Sequence, residues 1–329
     1  MGAICVTGGT GYFGGSLVSA LADAGEEVVA MVRDPGAAAH LDRRARRVRG
    51  DVTDPESIRR AMQGCTQAIH AAAHVRVWDR DPGRFERINV GGLMNVLRAA
   101  EEAALSRIVF TSSFMALGPS GGGTADEDWD PPGRRYHNLY EKTKALADQA
   151  ARREARRGLP LVILYPGVLY GPGRVTPGNL VGKTITDFMA RRIPGILGAG
   201  DRRICYAYVA DVVEGHLAAL RADVAGERFI LGGENRTLRE LFEELERITG
   251  VPAPRRHIPH SAAKIAGRFL RWRASLTGIE PEITDEVVEI YRQEWAYTSR
   301  RAAARLGYRI TPLKVGLEAT VRSIREGAA

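Results

Sequence analysis

Val6-Thr7-Gly8-Gly9-Thr10-Gly11-Tyr12-Phe13-Gly14-Gly15 is the stretch whose reading decides the fold. It follows an apolar run over residues 3–7 that reads as a buried strand. It opens a helix expected over residues 13–24, which Gly25 ends. Gly9, Gly11 and Gly14 stand at the spacing of a dinucleotide-binding turn. The first glycine permits the tight turn, the second lets the backbone approach a pyrophosphate, and the third lets helix and strand pack closely. The free N–H groups and dipole of the helix start then face the phosphates. Residues 27–32 read as a second strand, which completes the context the motif needs and argues against an incidental glycine-rich turn. Gly8, Thr10, Tyr12 and Phe13 belong to the same expected cofactor surface.

The end of the second strand selects the cofactor. Val32 stands where an acid would bind the adenosine ribose and repel a 2′-phosphate. Arg33 can pair with a 2′-phosphate through its planar fork, and Asp34 is the competing ribose ligand. The reading favours NADP over NAD. His40, Arg43 and Arg44 read as surface residues, with a phosphate role as the alternative. Residues 48–54 look like a third strand ending in a polar turn, with Asp51 and Val52 facing the adenine. Residues 56–63 read as a helix. Residues 68–74 read as a fourth strand whose small residues Ala71, Ala72 and Ala73 let a cofactor lie against the backbone. His70 and His74 read as structural or substrate-lining.

Residues 85–104 read as one long helix with Asn89 near its start. Residues 107–111 form a fifth strand, and Thr111, Ser112 and Ser113 sit at its C-terminal end, where such sheets place ligands. Residues 118–135 read as a mobile polar loop at the substrate mouth. Tyr140 and Lys144 then share one helix face, one turn apart. That spacing alone is weak. A phenol, an ammonium and a hydroxyl beside a dinucleotide site are what hydride transfer to a carbonyl requires. Tyr140 would be the acid in reduction and, as phenolate, the base in oxidation. A free phenol titrates near ~10, and Lys144 with a cationic nicotinamide would lower that value. Lys144 would also bond the nicotinamide ribose. Ser113 would hold the carbonyl oxygen, with Ser112 as substitute. Asn89 either supports a water relay to Lys144 or is purely structural.

A sixth strand over residues 159–165 enters Pro166, Gly167 and Val168, which should lie against the nicotinamide. Residues 174–204 break the β/α rhythm. Strand and helix return over 203–216, a further strand over 227–231, and a capped helix over 240–249. The fold class is α/β: a doubly wound parallel-sheet Rossmann fold with a smaller, mostly helical C-terminal substrate subdomain. Residues 1–166 plus about 205–231 would bind the cofactor, and about 167–204 plus 232–329 the substrate. Ile265, Phe269, Trp272 and Leu276 recur at helical spacing among Lys264, Arg268, Arg271 and Arg273. The stripe over 261–277 is expected to pack on its own domain. Membrane-surface contact and covering of a lipophilic substrate pocket are the less favoured alternatives.

The chain has 329 residues, 44% hydrophobic and 26% charged, which describes an ordinary globular protein. The net charge of +8 comes from arginines scattered along the chain, without a nucleic-acid module. No apolar run approaches the ~20 residues of a membrane span. The start lacks a basic leader, and the three cysteines lack a pairing or metal-binding pattern. A cytoplasmic, metal-free protein acting on a small molecule is expected.

Eight stretches together resemble one family. They are Thr7–Gly14, Gly50-Asp51-Val52-Thr53-Asp54, His70-Ala71-Ala72-Ala73, Asn89-Val90-Gly91-Gly92, Thr111-Ser112-Ser113, Tyr140-Glu141-Lys142-Thr143-Lys144, residues 166–172 and Tyr208-Val209-Ala210-Asp211-Val212. Their order and number are those of the extended short-chain dehydrogenase/reductases, also called the NAD-dependent epimerase/dehydratase family. Val32-Arg33-Asp34-Pro35 is similar to the dihydroflavonol-reductase-like group. Residues 176–180, which include Asn179, and Gly232-Gly233-Glu234-Asn235 are similar to plant-type farnesol dehydrogenases and to hopanoid-associated sugar epimerases. The resemblance implies a homodimer. Tyr165 and Ile204 depart from the arginines that many sugar-nucleotide enzymes carry there, although Arg202 and Arg203 are adjacent. The expected substrate surface (His74, Trp78, Ser113, Met115, Tyr140 and Asn179) lies among apolar neighbours, which suits a lipophilic or aromatic carbonyl compound. A sugar or nucleotide-sugar epimerase and a non-catalytic NADP sensor are the alternatives.

Overall fold

The computed structural model describes residues 2–131, 133–174, 176 and 179–327. Pro132, Pro177 and Gly178, which fall within stretches singled out above, lie outside the described residues.

The strands are β1 (Ala3–Thr7), β2 (Val28–Val32), β3 (Arg46–Arg49), β4 (Cys65–His70), β5 (Arg107–Thr111), β6 (Leu161–Pro166), β7 (Val168–Tyr170), β8 (Ile196–Leu197), β9 (Arg203–Tyr208), β10 (Arg228–Leu231), β11 (Glu234–Thr237) and β12 (His257–Ile258). The α-helices are α1 (Tyr12–Asp23), α2 (Pro55–Met62), α3 (Gly83–Glu86), α4 (Gly92–Glu102), α5 (Leu139–Arg156), α6 (Leu180–Met189), α7 (Val209–Arg221), α8 (Leu238–Thr249), α9 (His260–Thr277), α10 (Asp285–Ile290), α11 (Arg300–Leu306) and α12 (Leu313–Arg325).

Seven strands form one parallel sheet in the order β10-β6-β5-β4-β1-β2-β3. The central strands are apolar on both faces because helices cover both. Residues of α2, α4 and α5 share one core with alternate strand positions such as Cys5 and Ile108. Residues of α1 and α7 share another with Val6 and Val109. The edge strand β3 is arginine-rich and half-exposed, a composition that blunts an open edge. Strand order reverses between β1 and β4, and the crevice at that point is where such sheets bind ligands.

Four local expectations change. The fourth strand stops at His70, not at residue 74. Its neighbour β1 ends at Thr7, so residues 71–74 have no second ladder to join. The long helix over 85–104 is a continuous helical stretch from α3 to α4, interrupted by a five-residue π-helical turn, Arg87–Gly91, that contains Asn89.

The expected mobile loop is pinned. Ala125 bridges to Tyr297, the Tyr297 hydroxyl donates to Gly118 O, and Trp129 Nε1 donates to Pro119 O at 2.9 Å. Strand β9 pairs with β7 and β11 in a separate three-stranded sheet. That sheet, with α6, α8 and α12, encloses a third core around Phe188, Phe242 and Leu317.

The stripe of α9 does not pack on its own domain. The face turned toward α10 is made of small residues, Ala263, Gly267 and Ala274. A Cβ at Gly267 would lie 2.5 Å from Asp285 N, so the two helices meet backbone to backbone. The large apolar residues are left outward.

Candidate active site

The residues singled out above converge on the C-terminal ends of β1, β4, β5 and β6. Gly8 has φ +78°, and a Cβ there would sit 2.6 Å from Ala72 N. A Cβ at Gly14 would overlap Gly8 O, and Gly11 N donates to Gly8 O at 3.0 Å. Gly9 is buried beneath the turn, while Thr10 and Gly11 are exposed at its tip. No side chain caps α1, so its first N–H groups face the crevice without a side-chain partner. The Tyr12 hydroxyl donates to Gly171 O at 3.0 Å, and the Phe13 ring packs 4.7 Å from His216. Ala71 N and Ala72 N bond the backbone oxygen and hydroxyl of Thr7, at 3.2 and 3.3 Å. Ala73 follows, half-buried.

At the end of β2, Arg33 is exposed and forms no ion pair among the described residues. Asp34 Oδ1 accepts Gly36 N at 2.9 Å. Arg44 is taken by Asp23 and Asp42, at 2.5 and 2.7 Å. Asp51 Oδ1 accepts from the Thr53 amide and hydroxyl, at 2.8 and 2.7 Å. The Val52 carbonyl accepts Asn95 Nδ2 at 3.0 Å, which fixes the buried Val52 side chain.

Helix α5 is capped by Asn138, which accepts Glu141 N at 2.7 Å. Tyr140 and Lys144 therefore start on a fixed first turn. The Lys144 ammonium donates to Thr111 O at 3.1 Å and lies 5.5 and 6.0 Å from the Phe110 and Tyr140 ring centroids. Burial lowers the Lys144 ammonium to about 8, with Asp148 opposing. Burial pushes the Tyr140 phenol up to about 12, with the Ser113 hydroxyl acting against that rise. Ser113 Oγ also accepts Met115 N at 3.2 Å, capping a short 3₁₀ turn, Phe114–Ala116. Ser112 N donates to Leu164 O at 2.8 Å, and its buried hydroxyl has no partner. Gly167 N donates to Leu231 O at 3.1 Å. A Cβ at Gly167 would lie 2.6 Å from Cys205 O, so the backbone between Pro166 and Val168 packs directly on β9.

Asn89 does not reach Lys144 through its amide. Its Oδ1 accepts His74 N at 2.7 Å and its Nδ2 donates to Thr143 Oγ1 at 3.0 Å. His74 Nε2 lies 2.8 Å from Asp79 Oδ2, its ring edge-on to Phe85. His70 is buried against Thr7 Oγ1 at 2.7 Å. Trp78 is half-buried in the connection after β4, and Met115 is buried beside Ser113. Asn179 is not turned to the site: its Oδ1 caps α6 by accepting Gly182 N at 2.9 Å.

The departures from sugar-nucleotide enzymes also have places. The Tyr165 hydroxyl donates to Asp148 Oδ1 at 2.6 Å, under α5, and Arg152 closes on the same carboxylate at 2.7 Å. Ile204 is buried in the third core. Arg203 is engaged by Glu294 and by the carbonyls of Gly122 and Gly123.

Two supports escaped the sequence reading. Thr111 Oγ1 donates to His216 Nε2 at 2.9 Å, and His216 Nδ1 donates to Val212 O at 2.8 Å. Thr143 holds Asn89. Both residues lie within quoted stretches, but nothing in their spacing names a partner so distant in the chain.

The NAD dependent epimerase/dehydratase family model matches residues 4–232. The chain belongs to this family. A protein of Synechocystis sp. named "Putative dihydroflavonol 4-reductase" is 33% identical over 318 residues, covering 95% of this chain and 91% of its own. Sterol demethylase protein B of Methylococcus capsulatus is 38% identical over 256 residues, 77% of this chain and 76% of its own. The crystal structure of UDP-glucose 4-epimerase from Thermotoga maritima superposes with a TM-score of 0.79 at 23% identity. The match covers 99% of this chain and 100% of that one, which is a likeness of fold. The residues present fit the family's nicotinamide dinucleotide: a glycine turn that admits no Cβ at Gly8 or Gly14, an uncapped helix start and the orphaned Ser112 hydroxyl.

Proposed function

We propose that this protein is an NADP-favouring oxidoreductase. It would reversibly move hydride between nicotinamide and the carbonyl or secondary alcohol of a small lipophilic or aromatic substrate. The observation that carries the reading is the Ser113–Tyr140–Lys144 arrangement at the end of β5. The bound cofactor supplies or accepts the hydride. Tyr140 gives its proton to the carbonyl oxygen in reduction and takes it back in oxidation, while Ser113 bonds the same oxygen. A phenol held up near 12 keeps its proton at neutral pH, which suits the reductive direction. Lys144 would bond the nicotinamide ribose, and its charge would favour the phenolate when alcohol is oxidised. Ser112, Ala71, Ala72 and Pro166 to Val168 would form the wall against the nicotinamide. Asn89 acts by positioning His74 and α5.

NADP is favoured because Arg33 is exposed without a carboxylate, while Asp34 is turned to Gly36. A lipophilic substrate agrees with relatives named for a flavonoid and a sterol and with buried Tyr165 and Ile204 at the two positions where many sugar-nucleotide enzymes carry arginine. A homodimer belongs to the same reading; sedimentation equilibrium should give twice the mass of one chain, and a single-chain mass would remove it. The cofactor test is mass spectrometry of nucleotide released on denaturation, then calorimetric titration. NADPH should bind at least ~10-fold tighter than NADH, about 1.4 kcal/mol, and Arg33→Gln should erase the difference. Protein that retains NAD and exchanges it slowly would contradict the reading.

A further inference from the structure

We propose that α9 seats this protein on the surface of an anionic lipid bilayer. Ile265, Phe269, Trp272 and Leu276 are 70, 58, 59 and 64% exposed, and Ile279, just past the Gly278 turn, is 63% exposed. At about 100° per residue these four helical positions form one stripe opposite the Ala263, Gly267 and Ala274 face that meets α10. The Phe269 and Trp272 rings lie 5.8 Å apart on the outer surface. An outward apolar face of this size marks an interaction site.

Charge decides the occupant. Helix α9 carries Lys264, Arg268, Arg271 and Arg273 and no acidic residue. Lys264 and Arg271 turn inward to Glu289, Asp285 and Glu286 of α10, at 2.5, 3.1 and 2.8 Å. Arg268 and Arg273 fall on opposite flanks of the stripe. Arg268 lies 3.6 Å from Asp285 with its side chain 68% exposed, and Arg273 has no ion pair among the described residues. A second α9 laid on the stripe would oppose these cations with like charge. Anionic headgroups would match them, while the aromatic rings enter the headgroup boundary. No described helix is long and apolar enough to cross a membrane, so α9 would lie in the interface plane. Its end is tied to the connection that carries His74 and Trp78, through the Arg76–Glu280 pair. The seat therefore adjoins the proposed substrate mouth. It stands whether or not the reductase reading does, because membrane seating uses none of the catalytic groups.

The test is flotation with vesicles of phosphatidylcholine alone or with a quarter phosphatidylglycerol, at low and high salt. The full chain and its Phe269→Ser/Trp272→Ser variant are compared, with NADPH binding checking that the variant is folded. The full chain should bind the anionic vesicles at least ~10-fold better than the neutral ones. The variant should lose that binding, and so should the full chain at high salt. Trp272→Phe should remove the fluorescence blue shift seen on binding. Equal binding by chain and variant, or no vesicle binding at all, would overturn the proposal. So would a stripe-dependent change in sedimentation without vesicle binding, which would assign the face to a second copy.

Discussion

Lys144 is an ammonium held where water does not reach it. Its ordinary value of 10.5 falls to about 8 in the fold, mainly through burial. The unfolded chain therefore binds the proton more tightly, so this group destabilises the folded protein at neutral pH. The penalty is on the order of 3 kcal/mol at ~1.4 kcal/mol per pH unit. It is fully present below pH 8 and fades as pH rises to 10.5. Lys144→Met is expected to raise the urea midpoint of the cofactor-free protein at pH 7, with the gap narrowing by pH 10. A gap that widens with pH would contradict this account. The tight turn at Gly8 and Gly14 and the shared helix face of Tyr140 and Lys144 were legible in the sequence because each depends on local spacing. The partners of Asn89, Tyr165 and Asn179 were not, because each is set by a tertiary contact or a helix end that spacing does not specify.

The π-helical turn at Arg87–Gly91 was hidden in what read as one helix. Such turns insert one residue into a helix and are frequent at functional sites. Here the turn holds Asn89 between His74 N and Thr143 Oγ1, so it ties the connection after β4 to the helix bearing Tyr140. Asn89→Ala leaves His74 N and Thr143 without those bonds. It is expected to destabilise the protein by about 1–3 kcal/mol in urea unfolding and to lower turnover while NADPH affinity changes little. Full stability in the variant would show that the tie is not made. At this scale the sequence displayed the stripe on α9 but not its direction. Periodicity locates an apolar face; it does not show that the small face of Ala263, Gly267 and Ala274 wins the contact with α10.

Across the whole molecule, the parallel sheet and its helical layers followed from the glycine turn and the β/α rhythm, because parallel strands need helical crossovers. The three-stranded sheet of β7, β9 and β11 did not, since its strands are short and come from three separate stretches. Two buried histidines join the parts. His70 links β4 to Thr7 of β1, and His216 links α7 to Thr111 of β5. Burial lowers them to about 3 and about 4. The unfolded chain takes up these protons first, so the stability their neutral forms provide is present above pH 6.5 and lost as pH falls toward 4. Unfolding free energy should drop over that range, and His216→Gln should flatten the drop. An unchanged slope would remove His216 from the account.

The central claim is that Tyr140 completes hydride transfer from NADPH to a carbonyl. The most direct measurement is a single-turnover reaction of NADPH carrying deuterium at both C4 positions with a panel of lipophilic and aromatic ketones, read by mass spectrometry of the alcohols. The account predicts deuterated alcohol from the full chain. It also predicts a loss of about 100-fold or more in Tyr140→Phe, with NADPH binding retained. No deuterium in any product, or an equal rate in the variant, would contradict it.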